Sequence, residues 1–449
     1  MTRFATARLG NPEFRRNLMV EISPQRLLGM PVVLGLLFLA GAEAGGAETV
    51  DVIAHGALVV LLLLWGTRLT AGAVADEIQA GTWDAQRMSG LSPWAMTWGK
   101  LFGVTAFMWY GAAFAVAAIW IAGITGMVEL LDLLLTGVVA QAGALLFGLL
   151  LQRVRRTGGK RLGVALAQIF AIGLAVWLTT QESLWEARPV EWWSLTVDGR
   201  DFILLSKALA LGWVLAGIHA LMREELRYRA QPWTWLAFLA FCAVYVAGFG
   251  DELLVVSLFG TMLAVDAVPL VIMIGTVAGL TLVAALLGMH NSVEMRRWLA
   301  GPTRARSRPG ALLTEAPAWG LGLAVTLLLG LVLTVIWLRV PEPSWLPVLI
   351  WSGGLFLLRD VGVILALNLD SGARRGPWAG LIYLWALYIL VPVALVNVSP
   401  GASAAVMPTV APTVFGALIP ALGQAALAWL LVAWRWRVAK RGLSTAKPG

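Results

Sequence analysis

Few residues in this chain could do chemistry. The 449 residues contain three histidines (His55, His219, His290) and one cysteine (Cys242), all scattered. No H-E-x-x-H, G-x-S-x-G or clustered His/Cys pattern occurs, so metal-dependent or serine-nucleophile chemistry has no visible apparatus. A single cysteine excludes an intrachain disulfide and a four-cysteine metal site. "WGKLF" and "TGGKRL" each carry a Gly-Lys step, but neither has the upstream glycine spacing or the following Ser/Thr of a phosphate loop, so the chain does not bind ATP by that route. Two features remain. One is Arg359-Asp360, set in the apolar run "LIWSGGLFLLRDVGVILALN". The other is the polar stretch "DEIQAGTWDAQRMSGLSPWAMTWGKLFG", from Asp76 to Gly103.

The elements that position them are membrane elements. Hydrophobic residues make up 59% of the chain and charged residues 13%, with a mean hydropathy of +0.81. Soluble domains carry roughly 25% charged residues, so the composition is that of an integral membrane protein. The 23 tryptophans suit side chains at the lipid–water boundary. The beginning of the chain, "MTRFATARLGNPEFRRNLMVEISPQR", is polar and basic, unlike a cleavable apolar leader, so the first apolar run reads as a retained span.

Twelve segments have the length and apolarity of spans: 27–44, 53–74, 101–124, 131–151, 162–180, 202–221, 233–250, 267–289, 318–338, 346–367, 377–396 and 411–434. Residues 251–266 read as a re-entrant or interfacial piece. With the N-terminus in the cytoplasm, only Arg188, Arg200 and Arg339 of the 33 Lys and Arg fall in outer segments. Arg68, Lys207 and Arg359 fall within spans, and the rest are inside. This asymmetry predicts an even number of spans with both termini cytoplasmic. It also accounts for the net charge of +8 without a nucleic-acid partner.

The pattern is written twice. A charged, amphipathic approach precedes the first span ("NPEFRRNLMVEISPQRLLGM") and the seventh ("ALMREELRYRAQPWTW"). The expectation is an all-α polytopic membrane protein of about 12 helices, as two parallel six-helix halves, 1–222 and 223–449. The tryptophan-rich segment 181–201 suits a short helix in the outer interface. Glu129, Asp132, Lys207 and Asp266 read as interfacial, and Arg68 as snorkelling from the inner end of its span.

In the stretch 76–103, the second helix can continue beyond the membrane, break near Gly81 and restart as a short helix. Thr82 is placed to act as N-cap, and Asp84 lies in the favourable first turn. Gly90 and Ser92-Pro93 make a turn, with Pro93 starting the next helix. The result is a short projecting helix, which is a docking surface rather than a pocket.

Glu77, Gly81-Thr82, the acidic Asp84, Ser92-Pro93 and Gly99-Lys100 stand in the spacing E-x-x-x-G-T-x-[DE] followed by S-P and G-K. In this the chain resembles the membrane subunits of type-2 ATP-binding-cassette exporters. The resemblance covers specific residues only over 77–100 and the general architecture elsewhere. It implies that this loop is a coupling helix, with Glu77, Gly81, Thr82, Trp83, Asp84 and Arg87 meeting a cytoplasmic ATPase subunit, in two copies per pore. ATP and Mg would then reside on that partner, with no cofactor in this chain. It further implies a bacterial cytoplasmic membrane and a lipidic or amphipathic substrate. The chain departs from the family at Ile78-Gln79-Ala80 and Ala85-Gln86-Arg87. The corresponding loop of the second half, 290–317, keeps Glu294 but has no Gly-Thr or Gly-Lys step, so the two halves should meet their ATPases unequally.

Arg359-Asp360 lies near the middle of the tenth span, where a charge costs about 2.5–3.5 kcal/mol to insert. It either lines a translocation path or forms a structural ion pair, its two members reaching different helices because sequence neighbours on a helix do not face each other. Two other functions stay open on the residues alone. A membrane-embedded lipid- or glycan-modifying enzyme would need converging acidic or histidine residues at one interface. An ion-coupled secondary transporter would need matching midplane charges in both halves, yet the fourth span offers only Gln141.

Overall fold

A computed structural model describes residues 10–154, 160–185, 189–228, 231–249, 268–288, 313, 316–338, 345–369, 376–396, 405–408 and 413–445. The expected re-entrant piece 251–266 and, apart from three residues, the loop 290–317 with Glu294 lie outside the described residues.

The described residues are almost wholly helical. Among the described residues, eight helical stretches are long and apolar enough to cross a membrane, or nine if Pro93–Gly103 and Ala106–Ala122, bent by 52°, count as one. Pro232–Ala247 and Ala379–Leu395 are apolar but shorter. Length and composition of this kind define an all-α polytopic membrane protein. The chain divides into two compact units, Met1–Val190 with Thr196–Ala230, and Glu191–Leu195 with Gln231–Gly449.

The first unit opens with a short helix, α1 (Pro12–Glu21). Asn11 caps it by accepting from the Glu13 and Phe14 amides, and Pro12 occupies the first turn. α2 (Pro24–Leu58) follows, capped by Ser23. It continues through a π-helical stretch (Val59–Gly66) into α3 (Thr67–Gln79). The run is not straight. Gly46 has φ 69° and ψ −151°, and a Cβ on Gly41 would stand 2.7 Å from Ile53 Cδ1. Twelve residues of straight helix extend about 18 Å, so the chain reverses at Gly45-Gly46 and the two arms pack together. Only glycine adopts the Gly46 conformation without strain.

Two short helices, α4 (Trp83–Met88) and α5 (Pro93–Trp98), lead through a π turn (Gly99–Gly103) into α6 (Ala106–Ala122). α7 (Met127–Val154), α8 (Lys160–Trp185) and α9 (Gly199–Glu225) complete the unit. α7 is its central helix. Its most apolar window is 56% buried, against 22% for α8 and α9. It supplies Ala142, Leu145 and Leu149 to a core shared with Ala73, Trp83, Met96, Leu101, Ile218 and Met222.

The expected interfacial helix over 181–201 is not formed. α8 ends at Trp185, and Val190–Trp192 (β1) pairs with Leu195–Val197 (β2) before α9 begins. Pro189 cannot continue a helix, and Val190, Trp192 and Val197 favour extended backbone.

The second unit contains α10 (Pro232–Ala247), α11 (Val268–Gly288), α12 (Ala318–Trp337), α13 (Trp345–Asn368), α14 (Gly376–Trp385), a π turn (Ala386–Leu390), α15 (Val391–Val396) and α16 (Val414–Thr445). α13 is central here, with 67% of its most apolar window buried. Its Phe356, Leu357, Val361 and Ile364 are nearly inaccessible.

Candidate functional site

α3 ends in a Schellman motif. The Gly81 amide donates to Ile78 O (3.2 Å) and the Thr82 amide to Glu77 O (3.0 Å), with Gly81 left-handed at φ 69°. The break expected near Gly81 is therefore present, and it has a backbone cause. Thr82 stands at the N-cap position of α4, but its side chain does not cap. Its Oγ1 donates back to Glu77 O (3.3 Å) instead. A second left-handed glycine, Gly90, closes α4, and Ser92 caps α5 by accepting from the Ala95 amide (3.1 Å).

α4 has two faces. Trp83 (4% exposed) and Gln86 (7%) turn inward. Asp84, Ala85 and Met88 turn outward, with Met88 81% exposed. Arg87 braces the helix by donating to Glu225 Oε2 at 2.7 Å, and it pairs with Asp84 at 3.3 Å. The six residues assigned by resemblance thus separate. Gly81, Thr82 and Asp84 are at the exposed tip, Arg87 ties α4 to the end of α9, and Trp83 and Glu77 face inward.

Glu77 belongs to an ionic cluster, buried except at Arg16, that the motif did not disclose. Lys100, wholly buried, lies 2.6 Å from Glu13 Oε1 and also pairs with Glu77. Arg16 pairs with Glu77 and with Glu13 (2.9 Å). Asn17 Nδ2 donates to Glu13 Oε1 (3.1 Å) and to Gly99 O (3.1 Å), and Asn11 Nδ2 donates to Ala95 O (2.8 Å). Two acids and two bases thereby join α1, the end of α3 and the Gly99–Gly103 turn. Burial disfavours the Arg16 charge, but its hydrogen bond to Glu77 and the fields of Glu13 and Glu77 outweigh this and hold its pKa above the ordinary value. The close approach depends on Gly99, where a Cβ would meet Glu13 Cγ at 2.5 Å. The available sequence signals were the Asn-Pro cap, which fixes the register of α1, and the Gly-Lys step at 99–100. The pairing of α1 with that step has no local signature.

Arg359 and Asp360 are 3% and 0% exposed. The expectation that they would reach different helices is half right. Arg359 Nε donates directly to Asp360 Oδ1 (2.8 Å), because the long arginine stem curls back on its neighbour. Its Nη1 also donates to Val406 O (2.8 Å) and Gln424 Oε1 (2.7 Å). Asp360 accepts from Tyr383 (2.9 Å) and Tyr388. Phe356 lies under the guanidinium at 4.6 Å. This is a satisfied network inside the second unit.

Lys207 and Asp132, expected at the outer interface, are enclosed by protein. Both are buried and pair at 2.5 Å. Glu129, half exposed, pairs with Arg200 at 2.9 Å, and Arg68 is exposed. Among the described residues no group of His, Cys, Asp and Glu could hold a metal ion. Comparisons with models of known protein families, with curated proteins and with solved structures return no match.

Proposed function

We propose that the chain is the transmembrane subunit of an ATP-driven exporter of the type-2 ATP-binding-cassette class, with two parallel six-span halves fused in one chain and both termini cytoplasmic. The twelve spans are the arms on either side of Gly45-Gly46, the bent third span, the seven other long helices and the two shorter apolar ones. The observation that carries the reading is α4, a short helix beyond the end of the second span with its aromatic face buried and its polar, methionine-tipped face exposed. That is the form required of a helix that seats in a cleft of a separate subunit. The registered residues from Glu77 to Lys100 support the same reading, since they build this projection and its ionic base.

In operation, closure of two cytoplasmic ATPase subunits on ATP and Mg would press on α4. Arg87–Glu225 and the Glu13–Arg16–Glu77–Lys100 cluster would pass that displacement to the sixth, second and third spans and to α1 ahead of the first. A lipidic or amphipathic substrate would cross a bacterial cytoplasmic membrane. The test is affinity purification of the tagged chain in mild detergent from its native host. An ATP-binding-cassette ATPase should accompany it, and the pair should hydrolyse ATP faster in lipid than the ATPase alone. A well-folded chain that never brings down an ATPase overturns the reading.

A further inference from the structure

The Arg359 network contains a backbone segment that does not belong at its depth. α13 and α16 run parallel, because the residues that meet across them advance together along both. Trp351 and Leu355 share an apolar groove with Phe415, Leu418 and Leu422, Arg359 meets Gln424, and Gly362 lies against Ala428 and Trp429. Gln424 is ten residues past Val414, where α16 begins, and so about 15 Å along the helix from that end. Ala405–Pro408 precedes α16 in the chain, yet it reaches this level. Gln424 Nε2 donates to Ala405 O (2.6 Å) and Arg359 Nη1 to Val406 O (2.8 Å). Two residues later Pro408 stands at Gly353, where an added Cβ would lie 3.6 Å from Pro408 Cβ. From Val406 to Pro408 the chain therefore climbs along α13 towards the end where α16 starts.

Non-helical backbone at membrane depth persists only where its polar groups are satisfied by protein or water. Here two consecutive carbonyls are satisfied by side chains of α13 and α16. We propose that Ala405–Pro408 is a re-entrant strap, and that Arg359 and Gln424 are positioning residues that latch it along α13. Asp360 and Tyr388, which accept from Arg359 Nε and Nη2, hold the guanidinium in place for this task. The inference needs only that these helices span a membrane, and it stands apart from the transport reading.

The strap can be tested by cross-linking. Gly353→Cys with Pro408→Cys, in a Cys242→Ala background, places two Cβ atoms at a separation suited to a disulfide. A Cβ at 353 meets nothing closer than Pro408, so the substitution is accommodated. A protease site inserted between Leu369 and Gly376 lets the bridge be read as two fragments that separate only after reduction. In monodisperse protein reconstituted in lipid, mild oxidation should join the fragments in most molecules. Gln424→Leu, which leaves the Arg359–Asp360 pair intact, should slow the initial rate at least fivefold, as should Arg359→Lys. Tyr383→Phe removes a bond to Asp360 without touching the strap and should leave the rate unchanged even where it lowers thermal stability. Absence of the bridge in monodisperse protein overturns the re-entrant placement. A bridge whose rate ignores Gln424→Leu, or responds equally to Tyr383→Phe, overturns the latch.

Discussion

Lys100 Nζ lies 2.6 Å from Glu13 Oε1, with the two side chains 0% and 2% exposed. The pair joins α1 to the Gly99–Gly103 turn. Removing one member of a buried pair leaves an uncompensated charge, which costs about 3–5 kcal/mol. Lys100→Met should therefore lower the unfolding temperature in detergent strongly. Lys100→Met with Glu13→Gln should cost less than the two single changes added together, because the double variant leaves a smaller charge imbalance with Arg16 and Glu77. Additivity of the two, measured by thermal unfolding, would contradict a shared cluster.

That cluster marks the boundary of what is legible in the sequence. The helices can be read directly, because runs of apolar residues have no alternative in lipid. The turns at Gly81, Gly90 and Pro93 are legible because each depends on local backbone chemistry. The partners are not. Lys100 meets Glu13 only once α1 folds back against the Gly99–Gly103 turn, and Lys207 meets Asp132 only once α7 and α9 pack. These long-range pairings enclose a lysine whose partner nothing nearby in the sequence announces. The strands at 190–197 escape the sequence because three tryptophans suit an interfacial helix equally well. Thr82 is a cap by residue type, but its hydroxyl turns back to Glu77 O, the carbonyl that also accepts its own amide in the Schellman turn.

Gly81 and Arg227 occupy the same position in two helix ends, and they give opposite expectations. Gly81 has φ 69° and Arg227 φ 63°, each followed by an amide that donates five residues back. The left-handed conformation costs a non-glycine residue about 1–2 kcal/mol. Gly81→Ala should destabilise by about that amount, and Arg227→Gly should stabilise by about 1 kcal/mol. Thermal unfolding of the two variants checks the sign of each.

Met88 is 81% exposed at the tip of α4 and supports no core. Met88→Asp should leave the unfolding temperature nearly unchanged, since exposed substitutions typically stay within about 0.5 kcal/mol. It should reduce the amount of ATPase that co-purifies at least tenfold. Retention of the ATPase at the original level would remove α4 from the docking surface.

Gln141 repairs the π-helical stretch of the second span. Its Nε2 donates to Leu62 O (3.1 Å) and its Oε1 accepts from Trp109 (3.1 Å), at full burial. Widening the helix frees carbonyls that lipid cannot satisfy. Gln141→Leu strands both Leu62 O and the Trp109 indole, at about 1–3 kcal/mol for each group left unsatisfied. Gln141→Glu keeps the acceptor for Trp109 but can donate to Leu62 O only while protonated, so any stability it restores should be lost as pH rises. Thermal unfolding in lipid nanodiscs measures both.

Arg359 and Asp360 invite a charge swap, and the geometry says how it should end. A simple ion pair tolerates exchange of its members. Arg359, however, also donates to Val406 O and Gln424 Oε1, while Asp360 accepts from Tyr383 and Tyr388. An aspartate at 359 has no proton to give Val406 O, and its carboxylate would face a carbonyl at close range. An arginine at 360 would leave the Tyr383 and Tyr388 protons without the carboxylate that now accepts them. Arg359→Asp with Asp360→Arg should therefore be no more stable than either single reversal, with each variant failing to yield monodisperse protein in comparable amounts. Arg359→Gln with Asp360→Asn keeps a donor at 359 and an acceptor at 360 without a buried charge, and it should recover folded protein. Rescue by the swap, measured as monodisperse yield and unfolding temperature, would mean that charge attraction alone holds this site and that the fixed directions of its hydrogen bonds do not matter.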